Sequence, residues 1–249
     1  MTGRTRQVAV VAAALFNVGM NALAGAGVLF GTTTGAVSDA VPTGVTPAGW
    51  AFSVWSVIFV GVLVFAGYQA RPSARGPRYD ALAAPFVAAN VLNGLWQVPW
   101  LAGLFGLAAV VIAGILASLV WLTVRLDRLG PSTAERWALG VPTSLFLAWV
   151  SVATALNVSV ALRAAGWDGG AVWPPLVVGL VAAVGAALLR RTGDVAFAAV
   201  LGWAFAAIWA ENGAGAPALT AALVAGAVAF AAATALALRD GASPLPVAR

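Results

Sequence analysis

The sequence predicts an all-α fold, a polytopic membrane helix bundle of about eight transmembrane helices. Three observations predict it. Hydrophobic residues make up 62% of the 249 residues and charged residues only 8%, whereas a soluble domain carries about 25% charged. Apolar runs near the ~20 residues needed to cross a bilayer recur along the whole chain. Threaded alternately through a membrane, those runs leave nearly all the arginines on one side. The short alternating segments of a β-barrel are not visible.

Breaks at charged, glycine-rich or proline-rich positions set the spans. The first, 8–30, follows Arg4 and Arg6, the flank of a signal anchor without a cleavage pattern. The second, 48–69, starts behind Pro47, whose missing N–H costs nothing at a helix start, and stops before Arg71. The third, 82–103, follows Arg75 and Arg78, and a tight connection leads to the fourth, 105–124. The fifth, 137–162, lies between Arg136 and Arg163, and the sixth, 172–189, ends at Arg190 and Arg191. The seventh, 195–210, is short; the eighth, 217–238, ends at Arg239.

With the N-terminus inside, the cytoplasmic segments hold Arg4, Arg6, Arg71, Arg75, Arg78, Arg125, Arg128, Arg136, Arg190, Arg191, Arg239 and Arg249, and the external side only Arg163. Removing any one span would destroy this asymmetry for everything after it, so both termini are expected in the cytoplasm. The longest external loop, 31–47, is rich in Thr, Gly, Pro and Val and carries one acid, Asp39. Residues 49–52 and 202–205 share the letters GWAF, on helices of opposite direction with no further alignment, and the repeat is treated as chance.

The chain has no cysteine and no histidine, and two methionines. Disulfides, thiolate or imidazole metal sites and the usual nucleophile–base pairs are thereby excluded. No cofactor, no metal and no conventional enzymatic activity are expected. The net charge of +5 comes from dispersed arginines and marks topology, not a nucleic-acid surface. No charged residue lies well inside a span, which disfavours ion-coupled transport. Glu211 and Asn212 come nearest, and read as a solvated helix end, while Trp203 and Trp209 in the same span are given no special role.

Residues 91–100 read VLNGLWQVPW. At about 100° per residue, Asn90, Asn93, Trp96, Gln97 and Trp100 share one arc of the third span. An unpartnered amide in hydrocarbon costs several kcal/mol, so this arc must face protein or a cavity. It serves either as glue between helices or as the wall of a ligand pocket. Phe52, Trp55 and Phe59 line one face of the second span, and Trp149, Ala153, Leu156 and Asn157 one face of the fifth, with small Ala153 beneath the indole.

Together these segments resemble the TspO/MBR family of tryptophan-rich sensory or translocator proteins. The second-helix motif stands as Val45-Thr46-Pro47-Ala48-Gly49-Trp50 followed by Trp55, with Val45 and Ala48 where the family has Trp and Pro. The third-helix pattern stands as Leu92-Asn93-Gly94-Leu95-Trp96, and the fifth as Trp149-Val150, Ala153-Thr154 and Leu156-Asn157. The family's Pro-Tyr before the fifth-helix Trp is missing; Pro142 lies about one turn earlier. The resemblance covers 1–163, a TspO-like five-helix transmembrane unit, and leaves 164–249 as a C-terminal three-helix transmembrane extension whose spans have no counterpart in it.

The resemblance implies a pocket beneath the first external loop for porphyrins, tetrapyrroles or other flat hydrophobic molecules. Carried over by position, its ligand-binding residues are Pro47, Trp50, Trp55, Asn93, Trp96, Trp100, Trp149, Ala153 and Asn157. The implied role is that of a sensor or passive translocator; the low Lys content, the Ala/Val/Arg bias and the positive-inside pattern fit a multi-pass protein of a bacterial cytoplasmic membrane. Tryptophan-dependent porphyrin degradation and a structural assembly role without ligand are the alternatives. Expected partners are a hydrophobic small molecule (porphyrin-like, or a sterol or carotenoid), the lipid bilayer and a second copy in a homodimer, with no nucleic acid. The stretch from Val64 to Arg71 fits a proposed sterol-contact pattern, but a Tyr and an Arg at a membrane interface produce that match anyway.

Overall fold

A computed structural model describes residues 2–167 and 169–246. Arg249, counted above on the cytoplasmic side, lies outside the described residues. Among the described residues, eight helices, some together with the turns that lead into them, are long and apolar enough to cross a membrane. They are α1 (Gly3–Gly25), α3 (Val54–Ala70), α4 (Asp80–Leu101), α5 (Phe105–Leu129), α6 (Val141–Ala164), α7 (Trp173–Thr192), α8 (Val195–Asn212) and α9 (Pro217–Arg239). A short helix, α2 (Thr34–Ala40), lies in the first external loop. No strand occurs among the described residues.

Five helices close a ring: α1 packs on α3 and α4, α4 on α5, α5 on α6, and α6 back on α3. Helix α8 docks outside this ring against α6, and α7 and α9 pack on each other, with α8 alongside α9. The arginine-bearing ends meet at one end of the bundle. Arg6 donates to Asp80 Oδ1 at 2.7 Å and to Gly76 O, Arg75 reaches Gln7, and Arg78 pairs with Glu135 at 3.0 Å. The charge asymmetry of the sequence thus reappears as one polar, cross-linked rim.

Three local outcomes differ from the sequence reading. Helix α1 begins at Gly3 and stops at Gly25, five residues earlier at each end than expected; Gly27 (φ 70°) and Phe30 (φ 60°) take left-handed backbone that no helix continues. Arg4 and Arg6 therefore belong to the helix instead of flanking it, and Arg6 is fully buried. Second, the external loop, where the sequence reading assigned no helix, contains α2, which Thr33 caps by accepting from Ala36 N. Third, α6 is entered through a Ser132–Glu135 capping box and a π-helical turn, Arg136–Gly140. Pro142, which has no N–H to donate, follows that turn and packs on Gly61 of α3. A Cβ at Gly61 would sit 3.1 Å from Pro142 Cβ, so the small residue sets how closely α3 and α6 approach.

The seam between α1 and α4 carries a ladder of carboxamides. Asn17 donates to Asn90 Oδ1 at 2.8 Å and accepts from Asn93 at 2.7 Å and from Asn21 at 2.9 Å. Gln97 donates to Asn21 Oδ1 at 2.6 Å and accepts from Thr34 Oγ1 at 2.8 Å. Phe16 lies over Gly94, where a Cβ would come within 2.6 Å of its ring. The amides of VLNGLWQVPW thus bind helix to helix, each offering what its neighbour needs in a setting without water.

Replacing Asn17 with Leu strips a donor from Asn90 and an acceptor from both Asn93 and Asn21. A loss of about 1–3 kcal/mol is expected, read as a lower thermal midpoint of the purified protein in detergent. Val8→Leu, on an exposed face of the same helix, leaves the midpoint in place.

Candidate functional site

Inside the ring, toward the external end, the indoles of three helices converge. Trp55 of α3 meets Trp149 of α6 edge-on with ring centroids 6.3 Å apart, stacks on Phe59 at 5.3 Å and touches Phe146 at 5.7 Å. Trp96 and Trp100 of α4 stack at 5.0 Å, one helical turn apart. Phe52 adds an edge contact to Trp149 at 6.1 Å. These offset and edge-on contacts are the arrangements aromatic quadrupoles favour.

A hollow beneath residues 45–47 is lined by Pro47, Trp55, Asn93, Trp96, Trp100, Trp149, Ala153 and Asn157, with Phe52, Thr34 and Val45 among its other walls. Eight of the nine sequence-predicted site residues therefore share one place. Trp50 does not belong to it. It is 46% exposed and lies edge-on against Trp203 of α8 at 4.6 Å. The reason is local: residues Gly49–Ser53 form a 3-10 turn before α3 begins, which swings Trp50 away from the face that carries Trp55.

The hollow is small, about 30 Å³. That is room for a water or two, against the several hundred Å³ of a typical ligand pocket. Its polar groups are largely engaged. Trp96 Nε1 donates to Asn157 Oδ1 at 3.0 Å, Asn157 Nδ2 to Ala153 O at 2.8 Å, and Trp100 Nε1 to Thr34 O at 3.1 Å. Asn93 gives one of its two amide protons to Asn17 across the seam, while its Oδ1 accepts from no described residue. The indole N–H groups of Trp55 and Trp149 likewise bond to no described residue.

The roof of the hollow is held from outside the ring. Asn212 Nδ2 donates to Thr46 O at 2.7 Å, Ala48 N to Ala207 O at 3.0 Å, and Trp203 Nε1 to Ala51 O at 3.1 Å. All three partners belong to α8, so the seventh span straps the segment around Pro47. Sequence reasoning missed this role for Trp203 and Asn212, which read as an unassigned indole and a solvated helix end. The only hint was the GWAF repeat, whose two copies touch through Trp50 and Trp203.

A protein-family model described as TSPO-like protein matches residues 7–236. The match crosses residue 163 and takes in most of the last three spans, a wider stretch than the motif resemblance. No curated protein and no solved structure matches the chain.

Asn212→Ala frees Thr46 O while leaving the ring untouched. Amide hydrogen exchange across 46–51 is expected to speed up by roughly three- to tenfold, the equivalent of about one hydrogen bond, with exchange in α4 unchanged.

Proposed function

Because the chain belongs to the TSPO-like family, we propose that it binds a flat hydrophobic molecule of the porphyrin or tetrapyrrole class at the indole cluster beneath 45–47, as a sensor or passive translocator. The observation that carries this reading is the convergence of Trp55, Trp96, Trp100 and Trp149 on one hollow, with the Trp55 and Trp149 N–H groups unspent. Indoles offer broad apolar faces, and buried Trp N–H groups normally find an acceptor. A ligand carboxylate or carbonyl would supply one.

At about 30 Å³ the hollow admits such a ligand only after the roof lifts. The bonds from α8 to Thr46, Ala48 and Ala51 are the ones that must give, so binding and loop opening are one coupled event. On this reading residues 1–163 form the binding unit and 164–249 the unit that closes it. The ring of α1, α3, α4, α5 and α6, with α8 docked outside it, supports that division. We assign no catalytic step, since the side chains of the hollow are aromatic, aliphatic, hydroxyl and amide and include no general acid or base. The arginine asymmetry of this multi-pass protein supports placing it in a bacterial cytoplasmic membrane.

The closed hollow favours a second reading, in which the aromatics only pack and the protein has a structural role. Titration with protoporphyrin separates the two. The first reading expects saturable quenching of tryptophan fluorescence at micromolar levels, a rise in thermal midpoint, and at least ~10-fold weaker binding in Trp55→Phe and Trp149→Phe, since each removes one N–H and part of a face. In Asn212→Ala association should quicken. Absence of saturable quenching in the wild type, or affinity indifferent to both Trp substitutions, selects the structural reading. Loss of porphyrin absorbance that needs both light and these tryptophans would instead revive degradation.

A further inference from the structure

A cavity larger than the indole hollow lies at the other end. About 320 Å³ opens at the cytoplasmic rim where α5, the start of α6, the end of α7 and the start of α8 meet, with Pro246 at its edge. That is some ten times the indole hollow and falls in the range of small-molecule sites. Val124 and Leu188 on its wall are 41% and 40% exposed, so the cavity is reachable from the surrounding lipid.

Its polar lining is one-sided. Asp194 is 7% exposed; its Oδ2 accepts from Ser144 Oγ and its Oδ1 from Phe197 N at 3.0 Å. Thr123, Thr143 and Thr192 give their hydroxyl protons to Leu119 O, Leu139 O and Leu188 O of their own helices. A hydroxyl has one proton and two lone pairs, so all four hydroxyls are left only as acceptors, Thr192 Oγ1 already accepting from Asp194 N at 3.4 Å. Two carboxylates, Asp127 of α5 and Asp194, complete the wall. The one side-chain donor with protons beyond these is Arg191 of α7, which is already engaged. The described parts of α6, α8 and the 244–246 segment add no other charged group to the lining.

We propose that this cavity binds a protonated amine with an apolar body, its ammonium directed to Asp194 and the hydroxyl oxygens and its body against Leu147 and Phe197. An ammonium offers only donors, which is what this wall lacks. Capping of α8 alone would account for Asp194 and its bond to Phe197 N, but not for an open cavity of this size beside it, walled by spent hydroxyls. Burial raises the Asp194 carboxyl above the ordinary carboxylate range, against the pull of Ser144 and the Phe197 and Ala196 amides. Proton and ammonium then compete for one carboxylate. Amine affinity falls as pH is lowered through the raised range of Asp194.

The test uses the full chain in detergent with 4-phenylbutylammonium, its alcohol 4-phenylbutanol and its acid 4-phenylbutyrate, followed by calorimetry and thermal shift. The amine is expected to bind at least ~10-fold tighter than the alcohol, because charge-assisted bonds are about twice as strong as neutral ones, and the acid not measurably. Asp194→Asn keeps a good cap for Phe197 N and should cost the amine at least ~10-fold and flatten its pH dependence. Protoporphyrin quenching in that variant should be unchanged, which keeps this site separate from the indole hollow. Equal binding of amine and alcohol by the wild type overturns the proposal without recourse to any variant. So does amine affinity that survives Asp194→Asn.

Discussion

An amide placed in hydrocarbon must find its partner inside the protein, and that constraint organises this molecule. Asn17, Asn21, Asn90, Asn93 and Gln97 satisfy one another across the α1–α4 seam, and Gln97 passes the chain of bonds on to Thr34 in the external loop. The ladder fixes the rotation of α4. With its amides turned to α1, the same helix must present Trp96 to Asn157 of α6. Helix α4 thus holds two neighbours at once, one by amides and one by an indole, and the five-helix ring closes around it.

Closure of the ring sets the size of its interior. Four indoles fill most of the space beneath the external loop and leave about 30 Å³. The segment above that space is bonded to α8. Bonds to Thr46, Ala48 and Ala51 come from α8, a helix outside the ring, so the seventh span holds the roof of the hollow without lining it. Because each bond is worth only about 1 kcal/mol, such a strap can be both ordered and openable.

The two ends of the bundle have opposite chemistry. The external hollow is aromatic, nearly filled, and keeps two unspent indole donors. The cytoplasmic cavity is roomy, walled by acceptors, and holds a buried carboxylate at the joint between ring and extension. Both lie where the α8 unit meets the ring.

The sequence by itself determined the helical class and the eight spans, because span length and arginine placement are set by the bilayer and not by packing. Through the resemblance to the TspO/MBR motifs it also singled out eight residues that meet at the hollow, Trp55, Trp96 and Trp149 among them. Only the tertiary structure decided what those faces meet. Whether Asn93 serves a ligand or Asn17 depends on the rotation of α1, which carries no periodic signal for it. Trp50 follows the indole motif yet leaves the hollow, because a 3-10 turn displaces it toward Trp203. The bonds of Asn212 to Thr46 and of Ser144 to Asp194 join residues far apart in the chain. Local pattern does not encode such pairs; they exist once α8 has docked.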